Sequence, residues 1–98
     1  MTYKEILPNF NGKCLSIKIK DSDYSHDLSD PSFEYQGGRL FIKGVVPKGA
    51  TDSGWSNNQL GYVAWDQVIN YLVFDSIESY QSAVKVSDDF ENIKDKEN

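Results

Sequence analysis

The sequence predicts an α+β fold that is mainly β, namely a small, strongly bent antiparallel sheet of about five strands with one C-terminal helix. Residues 14–20, CLSIKIK, alternate apolar and polar side chains, which is typical of a half-buried strand. Residues 32–46 hold two adjacent glycines between two β-prone runs, which predicts a hairpin. Residues 76–85 place three apolar side chains at helical spacing, which predicts the helix.

The hairpin prediction also fixes a register. Gly37 and Gly38 suit a two-residue type I′ turn, because both central positions of that turn need a positive φ angle. The resulting register pairs Gln36 with Arg39, Tyr35 with Leu40, Glu34 with Phe41, and Phe33 with Ile42. The face that carries Phe33, Tyr35, Leu40 and Ile42 is expected to meet the core. Phe41 falls on the opposite, polar face, which makes it a candidate contact residue.

Loops and short strands are expected over the rest of the chain. Residues 21–32 are polar and rich in turn formers, so they predict a loop. Residues 47–61 predict a second and longer loop, and long loops in small domains often carry function. Further strands are expected at 62–65 and 69–74. Residues 1–9 are ambiguous, with one helical turn before Pro8 as an option.

Two aspartates in the C-terminal half are expected at the boundaries of secondary-structure elements. Asp66 is expected to start a turn between the last two strands, and Asp75 is expected to cap the helix, with Glu78 three residues further on. Residues 1–86 are predicted to form a single domain. Residues 87–98 are predicted to form a charged and frayed tail.

The order of hairpin, long loop, strand, short turn and strand resembles that of SH3-like small barrels, in which a single helical turn often separates the last two strands. The resemblance rests on strand spacing, and no SH3 ligand-binding motif accompanies it. It implies an SH3-like barrel as the alternative to an open, bent sheet.

The charge balance disfavours several kinds of partner. The chain has a net charge of −5 and no run of Lys or Arg, so direct binding of DNA or RNA is not expected. Residues 50–98 hold nine of the acidic residues and three lysines, so the acidity belongs to that half. No signal-like or membrane-spanning segment is recognisable, which predicts a cytoplasmic protein without a membrane contact.

The sequence contains no complete catalytic or metal-binding motif. Asp21 and Asp23 have EF-hand spacing, but His26 stands where that loop needs glycine. A looser cation site made of Asp21, Asp23, Asp27 and Asp30 stays open. The single Cys14 and the single His26 cannot hold a transition metal alone, and Cys14 has little nearby to activate it. We therefore expect no enzyme activity, no metal and no cofactor.

These observations predict a small acidic binding or inhibitor protein that occludes a basic surface of a protein partner. In its gross properties the chain resembles bacterial immunity proteins, antitoxins and phage-encoded inhibitors. Trp55, in the polar loop DSGWSNN, is either an exposed anchor or a lid on the core. The expected partner-binding residues are Phe41, Asp52, Trp55, Asp66, Asp75 and Glu78.

Two further classes of function stay open. The first alternative is a small β-barrel structural or regulatory module of a larger assembly or homo-oligomer, which would expose a sheet edge and an apolar patch around Phe41. The second is an enzyme or small-molecule-binding protein, which would need a deep pocket lined by tyrosines and Arg39.

Overall fold

The computed structural model is a five-stranded antiparallel sheet followed by a C-terminal helix, as the sequence predicts. It describes the backbone of residues 6–96 and the side chains of residues 6–90, so the prediction for residues 1–5 and the end of the expected tail lie outside the description. The elements in chain order are β1 (Cys14–Ile19), β2 (Ser25–Gln36), β3 (Arg39–Val45), β4 (Leu60–Ala64), a 3₁₀ turn (Trp65–Gln67), β5 (Val68–Phe74) and α1 (Ile77–Lys96).

Strands β1 to β4 form a meander, and β5 returns to pair with β1 on its outer side. The strand order across the sheet is β4-β3-β2-β1-β5. A single 3₁₀ turn separates β4 from β5, in agreement with the strand-spacing expectation. The sheet does not close into a full barrel, so β4 and β5 are its two edge strands.

The β2–β3 hairpin has the register that the glycine pair predicts. Gln36 lies opposite Arg39 and Phe33 lies opposite Ile42, with the intervening pairs as expected. Gly37 and Gly38 have φ angles of 56° and 80°, as a type I′ turn requires. The predicted core face is confirmed at its inner end, where Ile42 is fully buried and Phe33 packs against the core.

Strand β2 begins seven residues earlier than the sequence indicates. The predicted loop at 21–32 is wrong from Ser25 onward, because this segment pairs with β1. A bulge interrupts β2, since the register shifts between Ser29 and Ser32 and Asp30 has a φ angle of 48°. Pro31 is tolerated there because a bulged residue need not donate a ladder hydrogen bond.

The bulge explains why a simple alternation of apolar and polar residues does not identify the whole of β2. Leu28 and Phe33 both belong to the core face, although they are five positions apart and strict alternation would place them on opposite faces. One extra residue on β2 therefore restores the inward direction of the side chains beyond it. The core itself consists of Phe10, Leu15, Ile17, Leu28, Ile42 and Val63, with Trp65 packed against it.

Helix α1 covers part of the opposite face of the sheet. The Tyr80 ring packs edge-on against Phe74, with ring centroids 5.5 Å apart. The helix continues to Lys96, well beyond the predicted end at residue 85. The capping prediction is also corrected, because the Ser79 amide donates to Ser76 Oγ at 3.0 Å and Ser76, rather than Asp75, is therefore the N-cap.

The hairpin turn provides a clean test of the fold. A Cβ at Gly37 would meet no atom within 4 Å, so only the left-handed backbone opposes a side chain there. We expect Gly37→Val to lower the free energy of unfolding by about 1–2 kcal/mol, whereas Gly37→Asn should leave it nearly unchanged. Urea denaturation of the two variants measures the difference, and equal stabilities would contradict the turn assignment.

Candidate functional site

A cavity lies beside the first half of β2. Strand β3 pairs with β2 only as far as Ser29, which faces Val45, so residues 25–28 have β1 as their single neighbouring strand. The loop 46–59 passes alongside this free edge. Between them lies a cavity of about 560 Å³, which we call the cleft, lined by Tyr24, Ser25, His26, Asp27, Leu28, Val46, Ala50, Thr51, Asp52, Trp55, Ser56, Gly61, Tyr62 and Val63.

Backbone hydrogen bonds hold the loop 46–59 in place. The amide of Val46 donates to the Gln59 carbonyl at 2.8 Å, and the amide of Asn58 donates to the Val46 carbonyl at 2.9 Å. These two bonds close the neck of the loop, as in a compact Ω-loop. Farther along, a Cβ at Gly61 would lie 2.9 Å from Leu28 Cδ2, so glycine allows β4 to approach β2 closely at the inner end of the cleft.

Three aromatic side chains form the rim of the cleft. Trp55 is 80% exposed and Tyr24 is 79% exposed, while Tyr62 is 40% exposed. Of the two predictions for Trp55, the structure therefore shows the exposed residue rather than the core lid. Exposed rings grouped around one cavity mark a candidate contact surface, because a partner that covers them removes their apolar surface from water.

Phe41 supports this rim from behind. Its ring packs edge-on against Tyr62, with centroids 6.5 Å apart, and the Arg39 guanidinium lies over the Phe41 ring, 5.7 Å from its centroid. Phe41 is half-buried by these contacts. Strand β3 thus places Phe41 next to the cleft, although Phe41 is not among the residues that line it.

Asp27 is the buried acid of the cleft. Its side chain is on the α1 side of the sheet, where the Tyr80 hydroxyl donates to Asp27 Oδ2 at 2.5 Å. Burial and the Asp27 carboxylate together raise the pKa of Tyr80, so the phenol stays a neutral donor. Within the described part of the chain, Asp27 Oδ1 accepts no hydrogen bond.

Cys14 lies near this pair and is fully buried. Burial, followed by the nearby charge of Asp27, raises the pKa of the Cys14 thiol to about 12. The thiol is therefore protonated at neutral pH and supplies no thiolate nucleophile. His26 projects from the opposite side of β2, and its Nε2 atom is buried without a hydrogen-bond partner among residues 6–90.

The other predicted contact residues lie outside the cleft. Asp66 is bonded to Arg39 at 3.0 Å, and this hydrogen bond holds the pKa of the Asp66 carboxyl below its usual range. Asp75 lies 3.3 Å from Lys13 Nζ, and Glu78 is exposed in the first turn of α1. Of the six predicted residues, the structure brings only Asp52 and Trp55 into the cleft lining.

Sequence reasoning did not select Tyr24 or Asp27 as contact residues. Both belong to the segment that the sequence presents as a polar loop, and the signal that places them is the pairing of residues 25–29 with β1. The same pairing separates the four aspartates of the hypothetical cation site, since Asp27 turns to Tyr80 while Asp30 accepts from the Gly12 amide at 2.8 Å. No group of acidic, His or Cys side chains suited to a metal is found among the described residues.

Comparisons with protein-family models, curated proteins and solved structures give no match for this chain. In the part of the chain that the structure describes, no helix combines the length and the apolar character needed to cross a membrane.

The Tyr80–Asp27 hydrogen bond generates a stability prediction. We expect Tyr80→Phe to lower the free energy of unfolding by about 1–3 kcal/mol, because the buried carboxylate of Asp27 loses its hydroxyl donor. Tyr35→Phe is the matched control, since Tyr35 is exposed and its hydroxyl makes no hydrogen bond within residues 6–90. Urea denaturation at pH 7 compares the two, and losses of equal size would mean that the hydrogen bond does not stabilise the fold.

Proposed function

We propose that this chain is a small, non-enzymatic binding protein that docks through the cleft onto a basic surface of a protein partner and occludes it. One observation carries the proposal, namely that exposed aromatic residues and an exposed acid line a single cavity. The aromatic residues are Tyr24, Trp55 and Tyr62, and the acid is Asp52.

The charged residues that take no part in the three internal ion pairs support a basic partner. Ion pairs engage Lys13, Arg39 and Lys43 with three of the acids. Within residues 6–90, the carboxylates outside these ion pairs are those of Asp21, Asp23, Asp27, Asp30, Asp52, Glu78, Asp88 and Asp89, whereas the remaining cations are Lys18, Lys20, Lys48 and Lys85. The acids are in excess, so a cationic surface would be attracted and its encounter accelerated.

The positions of the acids add direction to this attraction. Asp21 and Asp23 lie in the β1–β2 turn, close in sequence to Tyr24, and Asp52 lies on the loop 46–59 among the residues that line the cleft. Acidic residues therefore occur on both segments that carry exposed rings of the rim. This arrangement suits an interface in which charge orients the partner and buried rings supply much of the affinity.

The simplest role for such a cleft is to bind a functional surface of the partner and block it. The gross resemblance to immunity proteins, antitoxins and phage-encoded inhibitors favours a target that works through a basic surface. On this proposal the protein needs no cofactor, acts in the cytoplasm and contacts neither nucleic acid nor membrane directly. Its effect comes from steric exclusion and charge, so its potency follows the affinity of the complex.

A capture experiment tests the proposal. The tagged chain is incubated with native-cell extract at low salt and at 0.5 M salt, and retained proteins are identified and their affinities measured after purification. We expect one stoichiometric partner with a basic surface, released by the added salt because screening weakens the charge attraction. The double variant Asp52→Asn/Trp55→Ala should bind it at least about tenfold more weakly.

The matched control is Asp89→Asn/Phe90→Ala, which removes an exposed acid and an exposed aromatic from α1, away from the cleft. This variant should bind like the unmodified chain. A partner that both double variants retain equally would contradict docking through the cleft.

The β5 edge favours a second candidate function, that of a module that self-associates. Strand β5 exposes Ile69, Tyr71, Leu72 and Val73, and it carries no charged residue between Val68 and Phe74. Its outer edge has no partner strand among the described residues. Two copies of an acidic chain could pair here without opposing carboxylates, which is the occupant that the charge pattern favours. Exposed apolar side chains thus lie along β5 as well as beside Phe41, where Tyr62 is 40% exposed.

Sedimentation equilibrium tests the assembly candidate. The unmodified chain should form dimers as its concentration rises into the high micromolar range, and Leu72→Lys should stay monomeric because it places a charge on the paired edge. Leu60→Lys is the matched control, since Leu60 is 57% exposed on the other edge strand and Leu72 is 64% exposed on β5. A monomer at every concentration would reject self-association through β5.

A further inference from the structure

The first half of β2 directs part of its main chain away from β1. The Asp30 amide donates to the Lys13 carbonyl at 2.7 Å, and this bond sets the phase of the antiparallel β1–β2 ladder. In such a ladder, successive residues direct their amide and carbonyl groups to opposite sides of the strand. Ser25 and Asp27 therefore direct theirs away from β1, toward the side on which β3 lies farther along the strand.

Strand β3 does not reach these two residues. Its pairing with β2 ends at Ser29, and the chain then enters the loop 46–59, where the Val46 amide donates to a carbonyl of the loop instead. The main-chain groups of Ser25 and Asp27 that face away from β1 therefore pair with no other main-chain group in the described part of the chain. Asp27 is only 9% exposed, and main-chain groups in so buried a residue nearly always have a hydrogen-bond partner in a completed structure.

This free edge faces the cleft. All four residues of the edge, 25–28, line the cavity. The lining also combines the two faces of the sheet, since Leu28 and Val63 belong to the core face while Asp27 and Tyr62 belong to the other. The cavity therefore lies level with the sheet, at the position that a further strand beside residues 25–28 would occupy.

The charge around the edge indicates what kind of strand it suits. Among the described residues that line the cleft there is no lysine or arginine, while Asp52 is present. Asp21 and Asp23 precede the edge in the β1–β2 turn. A basic segment is therefore attracted, whereas a second copy of this chain, with a net charge of −5, is repelled. Leu28 and Val63 add apolar surface for alternate side chains of such a segment.

We propose that the free edge of β2 accepts an extended, basic segment of the partner as an additional strand. The segment pairs through its main chain with Ser25 and Asp27, places alternate apolar side chains against Leu28 and Val63, and carries basic side chains at the positions between them. The inference rests on the proposed function, because the partner supplies the segment. Strand addition by a synthetic peptide can nevertheless be measured without any partner.

Nuclear magnetic resonance titration provides the test. The ¹⁵N-labelled chain is titrated with the peptide acetyl-KVKVKV-amide, with its acidic counterpart acetyl-EVEVEV-amide, and with the lysine peptide N-methylated at its two central residues. Two adjacent methyl groups remove central amide donors from both edges of the peptide, because neighbouring residues donate to opposite sides.

We expect the lysine peptide to shift the amide signals of Ser25 and Asp27 and to slow their hydrogen exchange, with a Kd on the order of 1 mM. The acidic and the N-methylated peptides should each bind at least about tenfold more weakly. The first difference reports the charge preference, and the second reports main-chain pairing.

A matched pair of variants tests the edge from the side of this chain. Ser25→Pro removes the amide donor at the first residue of β2, where proline is tolerated because the ladder with β1 does not use that amide. It should weaken peptide binding several-fold. Ser25→Ala keeps the amide and should bind normally. Urea denaturation of both variants establishes that they are folded.

Several outcomes would overturn the inference. Equal binding of the N-methylated peptide would mean that side chains rather than main-chain pairing hold the segment, and equal binding of the acidic peptide would reject a basic segment. An absence of shifts at about 10 mM peptide would mean that the edge is closed. A captured partner that Ser25→Pro binds normally would reject strand addition and leave the proposed function intact, whereas peptide pairing without any captured partner would reject only the proposed function.

Discussion

The packing of helix α1 against the sheet and the orientation of Asp27 both depend on the hydrogen bond from Tyr80 to Asp27. It joins α1 to β2 across the face of the sheet opposite the core, and its acceptor is an aspartate side chain that is only 9% exposed. Since the bond fixes one oxygen of Asp27, it also fixes the orientation of that side chain. The helix thus stabilises the sheet and orients the acid of the cleft through one contact.

Local sequence patterns were sufficient to predict much of the fold. The glycine pair at 37–38 specified a turn and hence the register of the hairpin as far as Phe33 and Ile42, because a two-residue loop leaves no freedom in the pairing next to it. The alternation of 14–19 identified a strand with Leu15 and Ile17 inward. These elements could be predicted from the sequence because their side-chain directions follow a single period over their whole length.

The features that sequence reasoning missed depend on contacts between distant segments. The bulge in β2 changes the phase of alternation, so the residues before it looked like an irregular polar loop. Ser76 and Asp75 are both good cap residues, and only the position of the first helical turn distinguishes them. In the candidate site, Asp52 and Trp55 could be selected as members of a long loop, but the loop's position beside Asp27 follows from tertiary packing.

The bulge at Asp30 and Pro31 has a consequence for how this chain tolerates changes in length. Removing one residue there would exchange the two faces of β2 upstream, turning Asp27 toward the apolar core and Leu28 toward α1. Adding one residue would cause the same exchange. Insertions and deletions in related chains should therefore be rare between 25 and 36, where parity matters, and should accumulate in the loop 46–59, where it does not.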